Sequence, residues 1–190
     1  MRLRRAVLSV AVLVGLAGAG LCQTGPLQQS AVVTLDQERL QKETKFGAAL
    51  ALAFEKDSQA LVAENRKIDT ALEAEERELT DKRETLPAHE FSVLADAFDV
   101  KANDLRDAQE AKSRELNRRR EQDRAWFFQN IAPILGDYMV ERGAVAILDK
   151  AAVVVSLGSI DITEGAIQRI DEKLGDGSSL PGKPDPSTAP

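Results

Sequence analysis

The chain has 190 residues, 31 acidic and 25 basic, giving a net charge of −6 with one histidine and one cysteine. That balance argues against a nucleic-acid partner, whose phosphates call for a basic face. A single cysteine excludes an internal disulfide, and a single histidine leaves no pair with which to build a zinc site.

Arg2, Arg4 and Arg5 precede an uncharged apolar run from Ala6 to about Ala17, and Ala17-Gly18-Ala19 suits a signal peptidase. The run is too short to cross a bilayer, which takes about 20 apolar residues. Residues 1–19 are therefore expected to be a cleaved secretory signal peptide. Leu21 is not the small residue that should precede a lipidated cysteine, so Cys22 is not read as a lipid anchor. Cleavage removes three positive charges and no negative ones, leaving 22 basic against 31 acidic residues and a net charge near −9.

Residues 31–35, Ala-Val-Val-Thr-Leu, are β-formers and predict a first strand. Asp36 can cap a helix, with Glu38 in its first turn, and from there only Gly47 interrupts the good helix formers before Pro87. Phe46, Leu50, Phe54, Asp57, Leu61, Asn65, Ile68, Leu72, Glu75, Leu79, Lys82 and Leu86 step by threes and fours. This is the seam of a coiled coil, with polar defects at Asp57, Asn65, Glu75 and Lys82, of which Asn65 and Glu75 are expected to fix register or to permit bending of the arm. Pro87 cannot sit inside a helix but suits the first turn of a new one, so the chain is expected to reverse near 85–88.

A second helix carries Phe91, Leu94, Phe98, Leu105 and Ala108 at the same spacing, crosses a charged stretch, and reaches Trp126, Phe127, Ile131, Ile134, Leu135 and Tyr138. Gly143 is expected to end it and Pro133 to kink its last part. Two helices of about 50 residues would make a hairpin roughly 75 Å long. Residues 145–148 and 152–157 read as a β-hairpin turning at Asp149-Lys150 and lying beside the first strand. Asp161-Ile162-Thr163-Glu164 opens a short helix with Thr163 as its cap and Ile167, Ile170 and Leu174 on one face. Residues 175–190, rich in Gly, Ser and Pro, read as a disordered tail.

The expected fold is mainly α with a small β part. A long antiparallel coiled-coil arm spans 36–142, and a β-rich base is built from 31–35 and 143–174. Three short strands with open edges make a poor independent fold, so association between copies is expected.

Strand, long helical hairpin, two strands, Asp-Ile-Thr and helix follow in an order carried by Val32-Val33-Thr34-Leu35-Asp36, Gly-Ala-Val-Ala-Ile-Leu-Asp at 143–149, and Asp161-Ile162-Thr163. Over about residues 31–174 this resembles the Skp/OmpH family of periplasmic chaperones. The resemblance implies a jellyfish-like homotrimer joined through its strands, with Val32, Val33, Leu35, Val145, Ile147, Val153 and Val155 as the expected interface. It further implies a periplasmic, ATP-independent holdase without a cofactor, which keeps unfolded outer-membrane β-barrel proteins in a cavity between the arms. Phe46, Phe54, Phe91, Phe98, Arg118 and Arg119 are its expected client contacts.

The chain departs from the family in charge, since well-known members are basic. At the expected tip Glu76, Glu78, Asp81, Glu84 and Glu90 outnumber Arg77, Lys82 and Arg83. No lipopolysaccharide-binding tip is therefore carried over, and no stable membrane insertion is expected.

The remaining features have plainer readings. Arg114, Arg118, Arg119, Arg120 and Arg124 alternate with acids and read first as a solvated helix face with internal ion pairs. Trp126-Phe127-Phe128 reads as packing at the base of the arm, and His89 as a solvated turn residue. No nucleophile–base pair, glycine-rich phosphate loop or metal spacing is present in the sequence, so no enzymatic activity is expected. The rival to a chaperone is a structural coiled-coil spacer or adaptor of the cell envelope that binds a folded partner.

Overall fold

The structure is a computed structural model that describes residues 31–183; the expected signal peptide lies outside the described residues. Its elements are β1 (Val32–Leu35), α1 (Gln37–Glu43), α2 (Lys45–Arg83), α3 (Ala88–Glu141), β2 (Ala146–Asp149) and α4 (Thr163–Leu174). Short 3-10 turns lie at Lys150–Ala152 and Gly158–Ile160.

α2 and α3 pack together as the arm, and the chain reverses between them with Pro87 at the N-terminal cap of α3. α3 has 54 residues, roughly 80 Å of helix, and continues through Pro133 into the base. Arg142 caps its end, and Gly143 at φ 66° turns the chain back. β2 consequently enters beside β1 in a parallel register, Val32 opposite Ala146 and Leu35 opposite Asp149. A parallel pair needs a long crossover, and the whole arm serves as one.

The core lies in the base, where β1, α1, the root of the arm and α4 meet. Leu40, Phe46, Phe127, Ile131 and Ile162 are almost fully enclosed, and Ala166 and Ile170 present the inner face of α4. In the arm beyond this root, Ala102 is buried but the seam is otherwise half open, because two helices cannot surround each other. Large side chains along the arm therefore stay within reach of solvent.

Four local expectations are corrected. The first helix is not continuous, because Thr44 stands in extended geometry at ψ 147° between α1 and α2. Its hydroxyl donates to the Leu40 carbonyl at 2.7 Å and accepts from the Gly47 N–H at 3.1 Å, so one side chain closes one helix and opens the next. Gly47 permits this turn, since a Cβ there would lie 2.1 Å from the Gln41 carbonyl oxygen.

The strand expected at 152–157 does not form, and the sheet among the described residues has two strands. Asp149-Lys150 lacks the glycine or asparagine that a tight hairpin turn favours. Instead the Asp149 carboxylate accepts from the Ala151 N–H at 3.0 Å and starts a 3-10 turn. The other edge of β1 is taken by Asp161, bridged to Thr34, with the Ile162 N–H donating to the Thr34 carbonyl at 2.9 Å.

Thr163 is the first residue of α4 rather than its cap. Its hydroxyl accepts from the Asp36 N–H at 2.9 Å, tying the starts of α1 and α4 together. Asp161 does the capping instead, accepting from the Thr163 N–H at 2.9 Å and from its hydroxyl at 2.5 Å.

Residues 175–183, expected to be disordered, turn back over the base. Gly175 (φ 56°) ends α4, Gly177 is buried against the Phe46 ring, and Leu180 packs on the core. Residues 184–190 lie outside the described residues.

Candidate interaction surfaces of the arm and base

The two helices of the arm are held in register by charge. Lys101 meets Glu75 at 2.5 Å, Lys112 meets Glu64 at 2.6 Å, and Arg119 meets Asp57 at 2.7 Å, each from α3 to α2. Two of the polar seam positions, Asp57 and Glu75, thus pair with cations on the opposite helix. Exposed pairs of this kind contribute about 0–1 kcal/mol each, so they specify alignment more than stability. Asn65, also in the seam, has a buried Oδ1 with no hydrogen-bond partner among the described residues.

The arginine run divides into two groups. Arg114, Arg118 and Arg119 face Glu110, Glu115 and Asp57. Arg118 and Arg119, expected to touch client, already have carboxylate partners, which lowers the charge they can offer. Arg120 and Arg124 instead lie over the rings of Phe54 at 5.0 Å and Phe128 at 6.0 Å, with no carboxylate partner among the described residues.

Of the four expected client phenylalanines, Phe54, Phe91 and Phe98 are half-buried along the arm, while Phe46 is not at the surface. It packs edge-on against Trp126, with ring centroids 4.9 Å apart, and against Phe127 at 5.1 Å, so it belongs to the base core of the closed molecule. The seam carries Phe46 into the base because α2 begins there, at the Thr44 break.

Sequence reasoning missed a second set of apolar residues off the seam. Leu52 is 72% exposed, Val100 61% and Val93 56%, with Val62 beside them in kind. Their signal was available, because Val93, Ala97 and Val100 repeat by four and three one step away from the seam. At the root of the arm a groove of about 540 Å³ opens between α1, α2 and α3, with Leu50, Ala51, Phe54 and Phe127 for its apolar lining and Asp123, Arg120 and Arg124 among its polar groups. Burial pushes the Asp123 carboxyl above its ordinary range, against the pull of the Lys183 and Arg119 charges.

In the base the expected interface residues separate. Val33 and Leu35 are buried in the core of the single chain and are corrected from contact to core, since alternate residues of β1 point inward. Val32, Ile147 and Val153 are half-buried. Val145 is exposed, and the irregular segment after β2 presents Val154 and Val155 at 99% and 86% exposure, with Leu157 following. An apolar loop this open is rare on a solitary soluble domain.

Asp161 organises that end of the base. Burial opposes its ionisation, yet donors from Lys150 (2.6 Å) and from the Thr163 hydroxyl and N–H hold its pKa down from 3.8 to about 2. A carboxylate depressed on folding stabilises the fold above its unfolded pKa, and that contribution fades as pH falls from about 4 towards 2. Asp161→Asn should therefore lower the thermal midpoint at neutral pH, with the gap to the parent protein narrowing across that acid window. A gap independent of pH would assign the loss to geometry instead.

Among the described residues no group of three metal-ligating side chains converges, and no helix is long and apolar enough to cross a membrane.

The family model for outer membrane protein (OmpH-like) matches residues 31–170. The chain belongs to this OmpH-like family. Among solved structures, a candidate outer membrane chaperone (OmpH-like) from Caulobacter crescentus CB15 shares its fold, with a TM-score of 0.72 and 20% identity over 80% of this chain and 89% of that one. None of the curated proteins matches the sequence. Membership and fold are thus those of the OmpH-like family, and the family match stops short of the segment that folds back over Phe46.

Proposed function

We propose that the protein is an ATP-independent periplasmic holdase that keeps unfolded outer-membrane β-barrel proteins from aggregating. The observation that carries this reading is the pairing of exposed apolar side chains along an otherwise charged arm, at Leu52, Val62, Val93 and Val100, with membership of the OmpH-like family. An unfolded barrel strand alternates apolar and polar side chains. Many weak apolar contacts among charges can hold such a chain without imposing a conformation. The family and the expected signal peptide both favour the periplasm.

The test dilutes a barrel protein out of urea in the presence of the mature chain and follows light scattering. Suppressed scattering and a soluble complex are expected at stoichiometric chaperone; failure with several unrelated barrel proteins would favour a spacer that binds one folded partner.

The working unit in this reading is a homotrimer joined through its bases, with Val153, Val154, Val155 and Leu157 as the apolar joint. Replacing Val153 and Val155 with aspartate should shift sedimentation from an elongated trimer to a monomer while leaving the helical signal intact. A parent protein that sediments as a compact monomer would contradict the assembly.

A further inference from the structure

The segment that follows α4 lies beyond the family match, which ends at residue 170, and it covers an aromatic surface. Gly177, at φ +77°, presses so closely on Phe46 that a Cβ would fall 2.3 Å from the ring. Leu180 packs on the same core, and the charge of Lys183 reaches Asp123 on α3, one of the groups lining the arm-root groove. Gly47 and Leu50, which also line that groove, stand one and four residues from Phe46. The segment therefore lies beside the base-ward end of an apolar groove without itself lining it.

How it is held differs from how α4 is held. α4 is fastened by the Lys45 N–H donating to Asp171 at 2.8 Å, by Arg169 on Glu141 at 2.5 Å, and by Arg169 4.1 Å over the Tyr138 ring. Past Gly175 the hydrogen bonds are local: Gly177 N–H to the Leu174 carbonyl, Ser178 N–H to Asp176, and Leu180 N–H to the Gly177 carbonyl. Among the described residues none joins 176–183 to the arm. Apolar contact and one charge hold the cover down, with no backbone ladder to break on release.

We infer that residues 175–183 are an intramolecular cover that unfolded client displaces from beside the base-ward end of the arm-root groove, so that its release adds the Phe46 face to the apolar surface there. This rests on the holdase reading and supplies its regulation: a segment of extended, apolar-bearing chain displaces a weakly held stretch whose own apolar anchor is Leu180. Apparent affinity then scales with the fraction of molecules whose cover is open.

Trp126 is the only tryptophan and, packed edge-on against Phe46, reports the surroundings of the ring that the segment covers. The mature protein is compared with a version stopped after Leu174, with Gly177→Val, which the close Phe46 contact cannot admit, and with Lys183→Glu, which leaves the core untouched. Acrylamide quenching of Trp126 is expected to rise about twofold in the first two, and retention of a urea-unfolded barrel protein to tighten about threefold or more, with Lys183→Glu between them and the parent. An added peptide of residues 175–183 should reverse the gain. Unchanged quenching, or increased quenching with client affinity equal to that of the parent, overturns the cover while leaving the holdase intact. No retention by any of the proteins overturns the holdase itself, and the competition with it.

Discussion

Phe46→Ala is expected to destabilise the folded chain by about 3–5 kcal/mol, the range for truncating an enclosed aromatic ring. The ring touches elements far apart in sequence: Trp126 and Phe127 on α3, and Gly177 beyond α4. Its removal leaves a void that the rigid root of the arm cannot close, and it removes two ring–ring contacts as well. The measurement is a urea titration at fixed protein concentration, because the proposed self-association would couple stability to concentration. A loss under about 1 kcal/mol would mean that the base repacks freely, contrary to the enclosure described.

Gly47→Ala should be nearly as damaging although it adds one methyl group. The new carbon would sit 2.1 Å from the Gln41 carbonyl oxygen and 2.7 Å from its carbonyl carbon, both backbone atoms that cannot rotate away. Either α1 detaches from the start of α2 or the Thr44 junction is rebuilt, at a cost of about 1–3 kcal/mol or more. The same exchange at Gly136, where nothing lies within 4 Å of the added carbon, should stabilise α3 by about 0.5–1 kcal/mol. Opposite signs for one chemical change, read by thermal melts of the two variants, separate steric contact from backbone entropy.

Much of the architecture was legible in the sequence because it rests on local chemistry. The threes and fours from Phe46 onward, Pro87 and Gly143 mark helices and their limits through backbone sterics alone. Thr44 escaped notice because good helix formers flank it and no proline marks the break, and its hydroxyl acts only once Leu40 and Gly47 are brought together. The valines at 153–155 carry strong strand propensity, yet propensity cannot supply an edge to pair with, and the edge of β1 was already filled by Asp161 and Ile162. Thr163 is a good cap by type but lies one residue too late and bonds to Asp36 instead. Candidate contacts were the least legible, because the seam pattern ranks residues by helix pairing and says nothing about where the seam enters the base. Phe46 and Phe54 look equivalent by spacing, and only the fold separates core from surface.

The cross-links of the arm bear on how the molecule reaches its native state. Starting from the reversal at Pro87, the inter-helix ion pairs join residues 26, 48 and 62 positions apart, at Glu75–Lys101, Glu64–Lys112 and Asp57–Arg119. Each contact formed shortens the open loop that the next must close, so the hairpin can zip downward from its tip without ever meeting a large closure entropy. Residue 32 meets residue 146 only when zipping is complete, and a pairing that would otherwise be slow for its sequence separation becomes the last, nearly local step. The apolar strand segments of the base thus find their partners promptly after the arm is made, which shortens the time in which the chain is prone to aggregate.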